Sequence, residues 1–247
     1  MRVPLLSRPS RPPHERDGKM RPSEIHVWGV DLYDSRWDRY AMRLLGGPDS
    51  VTTVPQSLGS RRARAALRHL LARYLQCTPE SLALRTGPNG RPEIASTAIS
   101  FNLSHSRGRA LIAVSTDVVG IDLEYMERDR GSPEELLDAV LHPRELDSWH
   151  RESTDDAWGR FYCLWVRKEA YAKALGFGLS RSFASYRLEA YGNSAFHIVD
   201  EEHQVAGPMY VHDVAVSMGF AAAICTPLAD PLISSRTVEP QESVQCS

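Results

Sequence analysis

Three acidic residues define the chemistry this chain can carry. In VVGIDLEYMERD (118–129) an extended backbone turns successive side chains to opposite faces, so Val119, Ile121 and Leu123 share one face and Asp122 and Glu124 the other. Two carboxylates side by side repel unless a cation or water separates them. Magnesium favours a few carboxylate oxygens together with phosphate oxygens of a substrate, so the pair suits a divalent metal; it also suits a half-exposed strand with two solvated acids. In the helix read over 155–175, Trp158, Phe161, Trp165 and Ala172 form an inner stripe, while Arg160 and Arg167 face outward. Glu169 falls inside that stripe, where a carboxylate requires a partner. Lys173, one turn on, is one such partner. A metal shared with Asp122 and Glu124 is the other.

Two further segments suit phosphate. SFNLSHS (100–106) runs from a strand into a turn, with hydroxyl residues flanking His105. Serine hydroxyls, backbone N–H groups and a donor histidine all match phosphate oxygens; a Ser/Asn-rich turn around a structural histidine is the plainer alternative. No nearby Asp or Cys completes a Ser–His dyad, which excludes a hydrolase triad. The helix 60–76 carries Arg61, Arg64 and Arg68 opposite an apolar face of Ala63, Leu67, Leu70, Leu71 and Tyr74. Arg91 sits in the turn GPNGRP (87–92). Guanidinium groups grip phosphates as forks, although a row of arginines also serves as a solvated helix face. The chain has no Walker loop, no G-x-G-x-x-G and no H-E-x-x-H, so those phosphate and metal classes drop out.

The elements that position these residues alternate. Strands are expected at 24–32, 100–104, 110–116, 118–125, 185–190, 195–199, 210–216 and 220–226, and helices at 60–76, 133–141, 143–151 and 155–175. SRGRALIAVS (106–115) and SMGFAAAICT (217–226) share three positions, a weak internal repeat. The pattern predicts two α+β subdomains, 24–117 and 118–228, with a ligand crevice between them. The first 23 residues hold five Arg, one Lys and five Pro, and read as a disordered extension; 229–247 reads as a flexible tail. In the 247 residues, 42% hydrophobic content and a net charge of −2 give no overall attraction to nucleic acid or membrane. Apolar runs such as 220–225 are too short to span a bilayer. Four scattered cysteines, with no CxxC pair, fit a reducing, cytoplasmic setting.

Taken in order, GPNGRP, FNLSHS, GIDLE and WVRKEAYAKALGFGL resemble the motif series of the two-domain, surfactin-type 4′-phosphopantetheinyl transferase family, over about 60–179. The resemblance implies two similar α+β halves related by a pseudo-twofold, each with antiparallel strands on a long helix and the active site in the cleft between them. It implies transfer of the 4′-phosphopantetheine arm of coenzyme A to a serine of acyl, peptidyl or aryl carrier protein domains, leaving adenosine 3′,5′-bisphosphate. Carried over by position, Asp122, Glu124 and Glu169 would hold Mg²⁺. Glu169 would also be the general base, directly or through a bound water, and Lys173 would contact the diphosphate. Ser104, His105 and Arg91, at the family's usual lysine, would contact coenzyme A phosphates. The chain departs from the pattern at 51–59, which lacks basic residues, and at Ala65, where a hydroxyl residue is common. Arg61, Arg62 and Arg64 would take over there, Arg64 being the best match. The helices 133–151 are candidates for carrier docking, and a monomer is expected.

Overall fold

The computed structural model describes residues 20–45, 57–87, 92–95, 97–128, 131–152, 155–192, 195–201 and 207–240. Strand β1 (Glu24–Asp31) is buried on both faces along most of its length, as a strand inside a sheet is. It pairs antiparallel with β5 (Arg109–Ser115), which pairs antiparallel with β4 (Ser100–Ser106). Trp28, Val30, Ile112 and Val114 pack against Ala63, Leu67, Leu70 and Leu71 of helix α2 (Leu58–Tyr74). Ser57 caps that helix, its hydroxyl accepting from the Ser60 N–H at 3.2 Å. Helix α1 (Arg36–Leu45), not anticipated from sequence, is tied to α2 by a fork from Arg62 to both oxygens of Asp38, each at 2.7 Å. The hairpin β2 (Leu84–Thr86) and β3 (Pro92–Ile94) brackets the GPNGRP turn, whose residues 88–91 lie outside the described set.

The second sheet is antiparallel throughout: β6 (Gly120–Tyr125), β10 (Phe220–Thr226), β9 (Tyr210–Asp213), β8 (Ala195–Val199) and β7 (Arg187–Tyr191). Helix α5 (Ala157–Leu175) covers one face, burying Val166, Ala170 and Ala174 with Ala221, Ala223 and Cys225. Helices α3 (Glu134–Val140) and α4 (Pro143–Arg151) add Leu137, Val140 and Trp149 to that core. Between the sheets, Ile25, Val27, Leu111 and Ala113 meet Val119, Ile121, Leu123 and Ile224. The result is a mixed α+β fold of four layers, helix, sheet, sheet and helix.

Two sequence expectations are corrected. The tail expected from 229 onward contains β11 (Leu232–Thr237), which pairs in parallel with the outer edge of β1, Glu24 opposite Leu232. The edge of β1 carries N–H and C=O groups that need partners, and an edge strand can satisfy them with little apolar content. Ser104, His105 and Ser106 lie inside β4 rather than in a turn. The turn comes next, at Arg107 and Gly108.

One glycine governs where α5 sits. A Cβ on Gly120 of β6 would lie 2.1 Å from the Ala170 carbonyl oxygen and 2.4 Å from the Ala174 nitrogen. Helix and strand backbones touch there. Both obstacles are backbone, so Gly120→Ala is expected to cost about 1–3 kcal/mol or more through overpacking and forced helix displacement. The check is a lowered urea midpoint with an unchanged m-value.

Candidate active site

The contact at Gly120 sets Glu169 and Lys173, on the next turns of α5, over the acidic face of β6. The Lys173 amino group donates to Asp122 Oδ1 at 2.6 Å and to Ser104 Oγ at 3.0 Å. Ser104 Oγ in turn donates to the same Asp122 oxygen at 2.8 Å. Ser106 Oγ donates to Glu124 Oε2 at 3.0 Å and accepts from the Tyr125 N–H at 3.0 Å. Asn102 Oδ1 accepts from the Ile121 N–H at 3.1 Å. Asn102, Ser104 and Ser106 project from one face of β4 at the strand period. Asn102 and Ser106 thus meet two backbone N–H groups on the β6 edge that no strand pairs with, and Ser104 meets the Asp122 carboxylate.

Asp122 is buried, and its Oδ2, like Glu169 Oε2, is buried without a hydrogen-bond partner. Burial, then the Asp122 charge, push the Glu124 carboxyl up to about 7. Burial raises Glu169 too; Lys173 opposes this shift and Asp122 adds to it. One lysine therefore faces three acids, of which Glu124 and Glu169 are pushed toward their protonated forms. Two orphaned carboxylate oxygens beside acids held partly neutral are what a cation would relieve, so this donor set fits a hard divalent ion. Among the described residues no group of three or more His, Cys, Asp or Glu is already gathered into a metal cage. Asp122 instead leans on Lys173.

His105 projects from the opposite face of β4. Withdrawal of its ring from water, then the charges of Lys173 and Arg64, hold its pKa below the usual histidine value. The charges of Arg64 on α2 and Lys173 on α5 are thus both felt at His105 on β4. Arg91 lies outside the described residues. Arg68, expected on the basic face, is buried and donates to the Pro79 and Leu82 carbonyls at 2.8 and 2.6 Å, so it braces the chain instead. Arg160 and Arg167, expected to face outward, lie over the rings of Trp149 and Phe196.

Sequence reasoning missed Lys168. It is fully buried beside Glu169, ion-paired to Glu145 of α4 at 2.5 Å and donating to the Phe183 and Tyr186 carbonyls at 2.9 and 2.8 Å. Glu145 also accepts from the His142 and Leu188 N–H groups, both at 2.8 Å. This clamp fixes the roll of α5 from the side opposite the site. An i,i+1 neighbour pointing away from Glu169 was the available signal, since adjacent helical residues cannot share a face.

Residues 118–225, which hold β6, α5 and β10, match the model of the 4′-phosphopantetheinyl transferase superfamily. The chain is 35% identical over 169 residues to the 4′-phosphopantetheinyl transferase HetI of Nostoc, covering 64% of this chain and 71% of that protein. It is 30% identical over 184 residues to the 4′-phosphopantetheinyl transferase AcpT of Salmonella typhi, covering 73% and 84%. The chain belongs to the 4′-phosphopantetheinyl transferase superfamily. It spans 49% of the Synechocystis protein slr0495, to which it is 36% identical over 121 residues. Three segments of the sequence converge here: SHS lies against the GIDLE strand, and the KEAYAK helix closes over both.

The raised Glu124 sets a pH dependence. Its folded pKa of about 7 lies above the ordinary 4.5, so the fold favours the protonated form. That contribution is full below about pH 4.5 and is lost as pH rises through about 7. In chelator, the stability of Glu124→Gln relative to the parent should rise across that window. Paired thermal melts between pH 5 and 8 check it; a constant difference would count against a shifted Glu124.

Proposed function

We propose that the chain transfers the 4′-phosphopantetheine arm of coenzyme A to a serine hydroxyl of a carrier protein, releasing adenosine 3′,5′-bisphosphate. The observation that carries this reading is the meeting of Ser104 and Ser106, Asp122 and Glu124, and Glu169 and Lys173 from three elements at one place. Asp122, Glu124 and Glu169 would hold Mg²⁺, which, when bound, would offset charge on the diphosphate.

The residues divide the work. Lys173 places a cation where the diphosphate must sit, Arg64 extends the positive side toward its remaining phosphate groups, and His105 offers them a ring N–H donor. The serine oxygen attacks the phosphorus bearing the pantetheine arm. The bond from that phosphorus to the bridging oxygen breaks, and the nucleotide leaves with the electron pair. The serine proton needs an acceptor, and Glu169 is suited to it because burial raises its affinity for a proton. Catalysis is then mostly positioning and charge compensation, as for phosphoryl transfer generally.

The proposal includes a pseudo-twofold between the halves, with the site in the crevice between them. Supporting it, GVDL (29–32) ends β1 much as GIDL (120–123) fills β6, and each of these strands pairs antiparallel with the strand of the SRG or SMG repeat. A cytoplasmic monomer without nucleic-acid or membrane partners fits it as well. Among the described residues no helix is long and apolar enough to cross a membrane.

With coenzyme A and Mg²⁺, a carrier domain should gain the mass of one phosphopantetheine arm in intact-protein mass spectrometry. No gain on any of several carrier domains would reject the reading. Glu169→Gln should lower kcat by about 100-fold or more, as loss of a general base does, while coenzyme A still binds in calorimetry. Lys173→Ala should weaken coenzyme A binding as well.

A further inference from the structure

The hydroxyls of Ser104 and Ser106 have their directions fixed by their neighbours. A serine oxygen has one hydrogen to give, so a donor already bonded to that oxygen leaves its own hydrogen for an acceptor. Ser104 Oγ accepts from the Lys173 amino group at 3.0 Å and donates to Asp122 Oδ1 at 2.8 Å. Ser106 Oγ accepts from the Tyr125 N–H at 3.0 Å and donates to Glu124 Oε2 at 3.0 Å. Two oriented donors, at alternate positions of β4, thus face two acids at alternate positions of β6. Ser104, expected from the family pattern to meet coenzyme A phosphates, directs its hydrogen to a carboxylate instead.

This separates the two oxygens of each acid. A carboxylate oxygen offers about two lone-pair sites. Asp122 Oδ1 has both filled, one by Ser104 and one by the Lys173 amino group at 2.6 Å. Asp122 Oδ2 is buried with no hydrogen-bond partner. Across the other edge of β6, Asp122 and Glu124 lie opposite Ala223 and Ala221 of β10. Methyl groups donate nothing, so those facing residues leave the second oxygens alone. Glu124 follows the same plan, with Oε2 held by Ser106. On one side of β6 each acid is tied through one oxygen; on the other side alanines leave room.

We propose that Ser104 and Ser106 select the metal. By holding one oxygen of each acid they make Asp122 and Glu124 ligate through a single oxygen, which suits magnesium and disfavours calcium. Magnesium keeps a near-octahedral shell at about 2.0–2.1 Å and takes few carboxylate oxygens, whereas calcium gathers about six to eight oxygens at about 2.3–2.6 Å and readily uses both oxygens of one carboxylate. Withholding the second oxygen therefore removes more from a calcium shell than from a magnesium shell. The serines act through the acids and are positioning residues. This inference rests on the metal site of the transferase reading above. A role confined to aligning β4 with β6 predicts something different: the same loss for every ion.

Metal binding to the whole chain tests it without turnover. Free Mn²⁺ is read by electron paramagnetic resonance while Mg²⁺ or Ca²⁺ is added as competitor, with and without coenzyme A. In the parent, Mg²⁺ should displace Mn²⁺ at lower concentration than Ca²⁺ does. Ser104→Ala and Ser106→Ala should each shift that preference toward Ca²⁺ by about tenfold, the low end for loss of a group that orients a metal ligand. Ser106→Thr keeps the hydroxyl and should keep the parent ratio; thermal melts confirm that the variants are folded. Equal weakening of both ions would reduce the serines to alignment contacts and overturn the proposal. An unchanged ratio in both alanine variants would overturn it too, as would a shift in Ser106→Thr as large as that in Ser106→Ala. If the parent binds no Mn²⁺ in either condition, the metal site falls and this inference with it. If the ratio shifts as expected but no carrier domain is modified, the transferase reading fails and the selectivity stands.

Discussion

The contact of the α5 backbone with Gly120 is the constraint from which the site follows. Helices usually pack on sheets through side chains; here the space for one side chain is missing, and the carbonyl of Ala170 and the amide of Ala174 lie where it would have been. That approach brings the Lys173 amino group to 2.6 Å from Asp122. It also buries Glu169 on the same face. From the other side, the Lys168–Glu145 pair and the carbonyls of Phe183 and Tyr186 hold the helix roll. A buried ion pair is weak evidence for stability but good evidence of fixed geometry, because breaking it strands a charge. Helix α5 is thus gripped on both sides by features with little tolerance.

Electrostatics adds a second layer. Three carboxylates share one lysine, and the two not bonded to it, Glu124 and Glu169, are both pushed toward their protonated forms. Left alone, such an arrangement costs stability near neutral pH. Side chains of β4 meet the edge of β6 instead of a strand: Asn102 and Ser106 accept from the N–H groups of Ile121 and Tyr125, and Ser104 bonds the Asp122 carboxylate. A pairing strand would have met the same backbone groups and closed the site. Side-chain hydrogen bonding leaves it open.

How much of this was legible follows from what each residue depends on. Asp122 and Glu124 sharing a face, and Glu169 lying inside the apolar arc of α5, follow from local periodicity and hold in the structure. The eight strands and four helices that periodicity marked are all present, 143–151, 195–199 and 220–226 with the expected bounds and the others with shifted ends. The partner of Asp122 was not readable, because Lys173 stands one turn from Glu169 in sequence yet hydrogen-bonds across to β6. Lys168 and Arg68 were hidden for a related reason: composition assigns long cations to solvent, and only tertiary carbonyls, far along the chain, explain their burial. Strand β11 was missed because its partner, β1, lies at the other end of the chain and its own LISSRT pattern is polar. Helix α1 is short and carries charged residues at Arg36, Asp38, Arg39 and Arg43 among its apolar ones, and its tie to α2 through Arg62 and Asp38 is likewise non-local.

The two larger sheets meet without sharing a strand, and this joint explains why fold and chemistry are hard to separate here. Apolar contact between the sheets, Ile25 and Leu111 against Ile121 and Ile224, supplies attraction but no register. Register comes from the polar contacts between β4 and β6, each of which fixes one rung. The Asn102 rung holds the backbone of Ile121, the Ser104 rung holds the carboxylate of Asp122, and the Ser106 rung holds Glu124 and the backbone of Tyr125 together. A slip of one residue would turn the serines away from the acids, since side chains alternate along β4. The contacts that align the halves are therefore the same contacts that orient the acidic side chains, so loosening either one loosens both.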